Sequence, residues 1–330
     1  MAQQFNVGKA PVGILTRALT GNIFIQKSLA YMNEGDKDGY TAYKHDVQNV
    51  LRARTSNPAA QANASTLKKE AYKRSLAELE SFEEFDPKDY HSYWLEFQPS
   101  GVFQWESLPD NVQRSLEELF LGTAAEAVED ILTNGSPEVT GLIPQLRSNV
   151  LTSLNGAKAT PTQITANTHI AFRAHAGGTG ENQAEVLTAD NVFDKLELLI
   201  SKQTSAMRKR TGRKFMVNHA TGDLIRTAQR LKLNFKGVDV TEEGVMRYGG
   251  FDIIENPSFP DNDIMLASMT GDFRTDAIQL GTSSSADYNN VTVDRDSKFS
   301  RVWGMCLTLA LDIFLVRPEE VCYYTAETIA

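Results

Sequence analysis

The sequence predicts an α+β protein, and three stretches of the chain support this prediction. Residues 107–135 have the apolar spacing of one long amphipathic helix. Residues 190–267 contain helical and strand-like segments in turn, and residues 291–324 have mostly the pattern of strands. Helix, strand, helix and further strands in this order indicate a compact α+β unit.

The composition is that of an ordinary soluble protein with a sizeable core. The chain has 330 residues, of which 41% are hydrophobic and 23% charged. Its net charge of −9 argues against a protein whose main work is to coat nucleic acid. Residues 1–30 lack a signal-peptide pattern, and the apolar run 302–316 is too short, and interrupted by Asp312, to span a bilayer. We therefore expect a soluble protein of a reducing cytoplasm, with Cys306 and Cys322 as buried free thiols.

The N-terminal 30 residues are predicted to form an extended arm. They carry Lys9, Arg17 and Lys27 without any acidic residue, and glycine and proline punctuate them. Two interpretations remain open. The arm lies on a neighbouring subunit or faces a polyanion, or it is a loosely ordered terminus.

Residues 31–106 are predicted to hold two short helices and a hairpin. The helices are expected at 43–54 and 65–82, and the second has so narrow an apolar stripe that it must lie on another element. Residues 91–105 fit a hairpin or extended loop that leads to the long helix. Trp94 and Trp105 there either contact another chain or pack on their own subunit.

The long helix has recognisable ends as well as an apolar stripe. Ser107 and Asp110 resemble a capping box, Pro109 fits a first turn, and Asn134-Gly135 is a stop signal. About 25 helical residues would form a rod of roughly 38 Å. Such a rod is either a spine that carries other elements or an ordinary long core helix.

The remaining elements follow from local signals. A turn-rich stretch is expected at 141–161 and a flexible glycine-rich loop at 174–180. Asp190 is expected to cap a helix that runs to Thr211 and ends at Gly212. Leu307, Leu309, Leu311, Ile313 and Leu315 alternate along a strand, with Asp312 on its other face. Further elements are predicted as strands at 214–217, 248–254 and 264–267, a helix at 222–231 and a turn at 256–262.

No motif for catalysis or for cofactor binding stands out in the sequence. The glycines at 177, 178 and 180 lack the Gly-Lys-Ser/Thr of a phosphate loop, and neither a G-x-S-x-G elbow nor an H-E-x-x-H pair is present. A calcium loop that starts at Glu34 would place His45 where the bidentate Glu belongs. His169 and His175 are interpreted as loop or surface residues. We therefore predict no catalytic, cofactor-binding or metal-binding residues, no cofactor and no enzymatic activity.

A basic run near the second helix allows two interpretations. It is a solvated helix end that the helix dipole favours, or an interface with acidic neighbours or weakly bound DNA. Its members are Lys202, Arg208, Lys209, Arg210, Arg213 and Lys214.

A strand–turn–strand segment, a closing segment and the end of the long helix form a recognisable series along the chain. Their residues are 248–254, Asn256-Pro257, Phe259-Pro260, 264–267, Asp272-Phe273, Leu280-Gly281, 291–296, Phe299, Val316-Arg317-Pro318, Val321, and 131–135 with Gly141-Leu142. In these residues and in the order of its elements, the chain, and its second half above all, resembles the major capsid proteins of tailed bacteriophages, which share the Hong Kong ninety-seven fold.

This resemblance implies an arrangement of domains. It divides the chain into an N-terminal arm (1–40), an extended E-loop region (41–106), a peripheral domain (107–190) with the spine helix (107–135), an axial domain (191–290) and a return to the peripheral domain (291–330). Residues 31–90 are larger than a simple E-loop hairpin. Neither the Lys nor the Asn of the family's autocatalytic cross-link is matched by motif, so we predict no cross-link.

The resemblance also implies a function and partners. The chain would self-assemble into hexamers and pentamers that form an icosahedral or prolate head shell around double-stranded DNA. Portal, scaffolding and decoration proteins would be its partners, the packaged DNA a weak non-specific contact, and no membrane is involved. It would be located in the virion, and in the host cytoplasm during assembly. An encapsulin-type nanocompartment shell and a soluble enzyme with an unrecognised site are the alternatives.

Overall fold

The computed structural model describes residues 3–4, 22–35, 39–47, 67–86, 110–153, 186–231, 238–240, 246–283, 290–295 and 302–325. Its helices are α1 (Ile23–Gln26), α2 (Asp110–Asn134), α3 (Leu142–Ser153), α4 (Val192–Ser201), α5 (Ser205–Arg208) and α6 (His219–Leu231). Its strands are β1 (Gln3–Gln4), β2 (Tyr31–Gly35), β3 (Tyr40–Val47), β4 (Leu67–Arg74), β5 (Ala77–Phe85), β6 (Arg213–Val217), β7 (Val238–Val240), β8 (Met246–Tyr248), β9 (Phe251–Glu255), β10 (Ile264–Ser268), β11 (Ile278–Ser283), β12 (Asn290–Arg295), β13 (Trp303–Leu315) and β14 (Val321–Tyr324).

The first sheet is built around the long strand β13. Strand β5 pairs with one edge of β13 from Trp303 to Leu311. Strands β11 and β12 both run antiparallel to β13 and lie end to end along its other edge. Leu311 of β13, for example, pairs with Ala77 of β5 on one side and with Thr282 of β11 on the other. Strand β2 pairs parallel to β11, and β1 pairs antiparallel to β12. Strand β13 therefore holds nearly the whole first sheet together through its pairing with β5, β11 and β12.

Helix α2 covers one face of this sheet, as the apolar spacing predicts. Phe120, Val128 and Leu132 are buried in the same core as Leu309 and Ile313 of β13. Carboxylate side chains lie along the opposite, exposed side of the helix. The stop signal is confirmed as well, since the N–H of Gly135 donates to the carbonyl of Ile131 and Gly135 has a φ of +91°.

The second sheet has the strand order β14-β10-β6-β9-β8-β7. Strands β6 and β9 are parallel, and β10 runs antiparallel to both β6 and β14. A second apolar core lies between this sheet and helices α4 and α6, with Phe193, Leu196, Phe215, Ile225 and Leu266 among its buried members. The strand at 214–217, the helix at 222–231 and the strand at 264–267 are thereby confirmed.

The two short helices predicted before residue 90 are wrong where the structure describes them. Residues 43–47 belong to β3, residues 67–74 to β4 and residues 77–82 to β5. Lys, Glu and Ala favour a helix in isolation, but pairing with another strand overrides that weak preference. In β5 the partly buried Ala77, Leu79 and Phe85 alternate with exposed glutamates, which is the period of a strand.

Three further predictions are corrected. Residues 142–153 form helix α3 instead of turns, and Pro144 is tolerated there because it lies in the first helical turn. The helix expected from Asp190 to Thr211 begins after Asn191 and ends at Ser201, where a short break separates it from α5. Residues 248–254 are not one strand, since Gly249 and Gly250 turn the chain between β8 and β9 with positive φ angles.

The described part of the N-terminal segment packs into the first core. Phe24 and Leu29 are fully buried in the first core, so residues 22–30 pack on their own subunit and do not form part of an extended arm. The first sheet contains β11, from the range predicted as the axial domain, and the second sheet contains β14, from the range predicted to return to the peripheral domain. The boundaries at 40, 106, 190 and 290 stay a prediction.

Candidate assembly surfaces

The described residues form no recognisable chemical centre. In the part of the chain that the structure describes, no group of three His, Cys, Asp or Glu side chains is placed to hold a metal ion. None of the helices within those ranges is long and apolar enough to cross a membrane. His169, His175, the glycines at 177–180, Trp94 and Trp105 lie outside the described residues. The candidate functional features of the described residues are therefore surfaces.

The first such surface is a two-stranded ribbon. Strands β3 and β4 pair antiparallel from Tyr40–Arg74 at the base to Val47–Leu67, and among the described residues they form a sheet of their own. Tyr43 is exposed on it. A two-stranded ribbon buries little apolar surface and is marginally stable alone. The ribbon must therefore depend on what holds its base.

Asp312 of β13 holds the base of the ribbon. The Tyr40 hydroxyl donates to Asp312 Oδ2 over 2.9 Å, and Arg74 Nε and Nη2 donate to Oδ2 and Oδ1 over 3.0 and 3.1 Å. One carboxylate thus binds the first residue of β3 and the last residue of β4. Burial, with the Asp312 charge as the next cause, raises the pKa of Tyr40, and the hydrogen bonds from Arg74 to Asp312 raise the pKa of Arg74.

Apolar packing closes the same base. The Arg74 guanidinium lies over the Phe314 ring at 4.9 Å, and the Tyr72 ring lies 5.4 Å from the Phe314 ring. Gly281 faces Asp312 across the β11–β13 pair and leaves room for the Tyr40 ring. The ribbon base therefore lies on the face of the first sheet that helix α2 does not cover.

Strand β5 presents an acidic row further along the first sheet. Glu78, Glu80 and Glu84 are exposed, and Phe82 between them is 54% exposed. The Cys306 thiol donates to Glu80 Oε1 over 3.1 Å, and burial together with this acceptor raises the pKa of Cys306 to about 11. The two cysteines are free, but Cys306 is only half-buried, whereas the prediction was that both are buried.

The basic run around α5 is only partly available for contacts. Arg210 Nε and Nη2 donate to Glu320 over 2.9 and 2.8 Å, and the Arg213 guanidinium lies over the Phe251 ring at 4.7 Å. Burial, and secondarily the nearby Arg208 charge, lower the pKa of Arg213. Arg208 itself is exposed. The run therefore combines residues that stabilise their own subunit with residues that face outward.

The end of helix α2 is fastened to the second sheet through the turn at 256–262. Asn256 is fully buried, and its Oδ1 accepts the N–H of Ser258 over 2.8 Å, which shapes the turn. Its Nδ2 lies 3.4 Å from Thr133 Oγ1, and Asn134 Nδ2 donates to the Ser258 carbonyl over 2.9 Å. The long helix thus contacts the first sheet along its length and the second sheet at its C-terminal end.

The same arrangement of elements occurs in solved viral particles. Over 96% of this chain and 99% of the other, the protein is similar to a chain of the satellite phage P4 procapsid that includes the size determination (Sid) protein, with a TM-score of 0.52 and 10% identity. For the capsid asymmetric unit of cyanophage A-1(L), 93% of each chain matches with a TM-score of 0.52 and 13% identity. For Gordonia phage Cozz, 92% of this chain and 86% of the other match with a TM-score of 0.53 and 12% identity.

The chain has the phage capsid fold. The structural likeness extends over nearly the whole chain. No family model matches the sequence, and no curated protein matches it either. The α+β fold expected from the sequence resemblance is thereby confirmed at the level of structure.

Sequence reasoning missed the base of the ribbon. The alternation in β13 correctly put Asp312 on the face opposite the leucines, but it did not show that this face is buried. The signal that was available is a single acidic residue in the apolar run 302–316. Its partners Tyr40 and Arg74 are more than 200 residues away in the sequence, and no local pattern identifies them.

Proposed function

We propose that this chain is the major capsid protein of a tailed bacteriophage. It self-assembles into hexamers and pentamers, which form an icosahedral or prolate head shell around double-stranded DNA. Its role is structural and not enzymatic. The observation that carries the proposal is the match of nearly the whole chain to chains of three phage structures, among them a procapsid and a capsid asymmetric unit, at TM-scores above 0.5.

The features of the described residues support a shell subunit. A shell protein needs exposed surfaces that contact other copies, and each contact can be weak because many symmetric contacts act together. The two-stranded ribbon and the acidic row on β5 are such surfaces, since both expose charged and aromatic side chains. A net charge of −9 limits trapping by DNA, while exposed residues such as Arg208 allow weak contact with phosphates.

The partners follow from this role. Copies of the same chain are the main partner, and a portal, a scaffolding protein and decoration proteins complete the particle. Packaged DNA is a weak, non-specific contact. The protein resides in the virion capsid, and in the host cytoplasm during assembly.

The proposal is tested by the size and the contents of the particles. We expect the expressed chain, alone or with the products of neighbouring genes, to form closed shells or free pentamers and hexamers by size-exclusion chromatography and negative-stain microscopy. Native particles should show the A260/A280 ratio of packaged DNA. Shells filled with protein cargo would instead indicate a cellular nanocompartment. A stable small oligomer under every condition would refute the proposal.

A further inference from the structure

A ribbon can make the same contact with a neighbouring subunit in every copy only if its direction relative to the first sheet is fixed. Among the described residues, β3 and β4 hydrogen-bond as strands only to each other. The ribbon contacts the first sheet at its base and at the Tyr43 carbonyl, which accepts a hydrogen bond from Gln279 Nε2 over 3.3 Å. The direction of the ribbon is therefore decided at its base, because a ribbon of this kind has little stability of its own.

Asp312 is the group that connects both strands of the ribbon to the sheet. Its side chain is 6% exposed, and its two oxygens accept three hydrogen bonds from Tyr40 and Arg74. Contact with both strands at once restrains rotation of the ribbon as well as its detachment. Charge-assisted hydrogen bonds of this kind are stronger than neutral ones and have defined geometry, in particular with arginine.

We propose that Asp312 is a positioning residue that fixes the direction of the β3–β4 ribbon, and that this direction sets how subunits assemble. The inference rests on the proposed function for its second half. Asp312 is itself buried, so it acts through Tyr40 and Arg74. Removal of its charge should leave the two cores intact and release the ribbon.

The test compares Asp312→Asn with Glu320→Gln. Glu320 is a matched control, because its side chain is 4% exposed and it accepts two hydrogen bonds from Arg210, away from the ribbon. Hydrogen–deuterium exchange is measured on peptides that cover 40–44 and 70–74. We expect Asp312→Asn to speed exchange there roughly tenfold or more, the scale of one lost hydrogen bond to a charged group. Exchange in α2 and β6 should not change.

Particle morphology is the second measurement. Asp312→Asn should give aberrant or no shells, whereas Glu320→Gln should form shells like the parent chain. Tyr40→Phe removes one of the three hydrogen bonds and keeps the ring, so it should give a smaller change of the same kind if Asp312→Asn does not fold.

The outcomes separate this inference from the proposed function. Normal shells and unchanged ribbon exchange in both Asp312→Asn and Tyr40→Phe would overturn the inference alone. Equal defects in Asp312→Asn and Glu320→Gln would also overturn it, because they would reflect general destabilisation. If the parent chain never forms particles, the proposed function fails, and ribbon exchange alone decides whether Asp312 positions the ribbon.

Discussion

Replacement of Gly281 by alanine should disrupt the base of the ribbon. Gly281 lies on β11 opposite Asp312, and an added Cβ would overlap Cε1 of Tyr40 and lie 2.5 Å from its Cδ1 and 2.7 Å from its Cζ. Tyr40 is 5% exposed, and its hydroxyl is held by Asp312, so the ring has no free space to move into. The methyl group therefore displaces either the ring or the strand.

The cost follows from two contributions. Overpacking of a well-packed site costs about 1–3 kcal/mol in the free energy of unfolding. If the ring moves away instead, its hydrogen bond to the buried carboxylate is lost, which costs about 1.5–3 kcal/mol. The two contributions overlap because either movement relieves the clash. We expect Gly281→Ala to lower the free energy of unfolding by about 1–3 kcal/mol.

Gly304→Ala is the matched control for this experiment. It also adds a methyl group to a strand glycine of the first sheet beneath an aromatic ring, since the new Cβ would lie 2.7 Å from Cε2 of Phe82. Phe82 is 54% exposed and can turn away, so we expect a cost below about 1 kcal/mol. Denaturant unfolding followed by circular dichroism measures both variants. Equal costs for Gly281→Ala and Gly304→Ala would refute the close packing of Tyr40 against β11.

Three further predictions concern other parts of the protein. Gly122→Ala on the exposed side of α2, where the new Cβ meets no atom within 4 Å, should raise the free energy of unfolding by about 0.5–1 kcal/mol, and a loss would mean that this side is covered. Burial raises the pKa of Glu129 above its ordinary 4.5, so the charged carboxylate destabilises the fold at neutral pH. Glu129→Gln should therefore raise the thermal midpoint at pH 7, and this difference from the parent chain should disappear as the pH falls towards 4.5. A difference that does not depend on pH would contradict this prediction. Burial raises the pKa of Cys322 to about 12, and the pKa of Cys306 is about 11, so a thiol reagent at pH 8 should label the native chain slowly and the denatured chain fast; rapid native labelling would contradict this.

The elements that the sequence predicts well are those that a pattern of residues close together in the sequence identifies. Helix α2 and strand β13 bury one side against the first core, so the helical and strand periods appear directly in the residue pattern. The turn at 256–262 is equally local, because Asn256 bonds to Ser258 two residues away. In these cases no distant partner is needed to recognise the element.

The ribbon and β5 were missed because their partners are distant in the sequence. Leu79 of β5 pairs with Leu309, and Arg74 bonds to Asp312, across more than 200 residues in both cases. The residues of β4 and β5 are rich in Lys, Glu and Ala, which favour helices when nothing else decides. Pairing with strands that are distant in the sequence overrides this preference. The contacts of Asp312 can be recognised only once that pairing is known.

Microscopy of the purified protein tests the central claim most directly. Negative-stain images of the chain, expressed alone and together with the products of neighbouring genes, should show closed shells built from hexamers and pentamers. Native particles should contain double-stranded DNA by their A260/A280 ratio. A stable dimer or other small oligomer that never forms a larger assembly in any of these conditions would contradict the account.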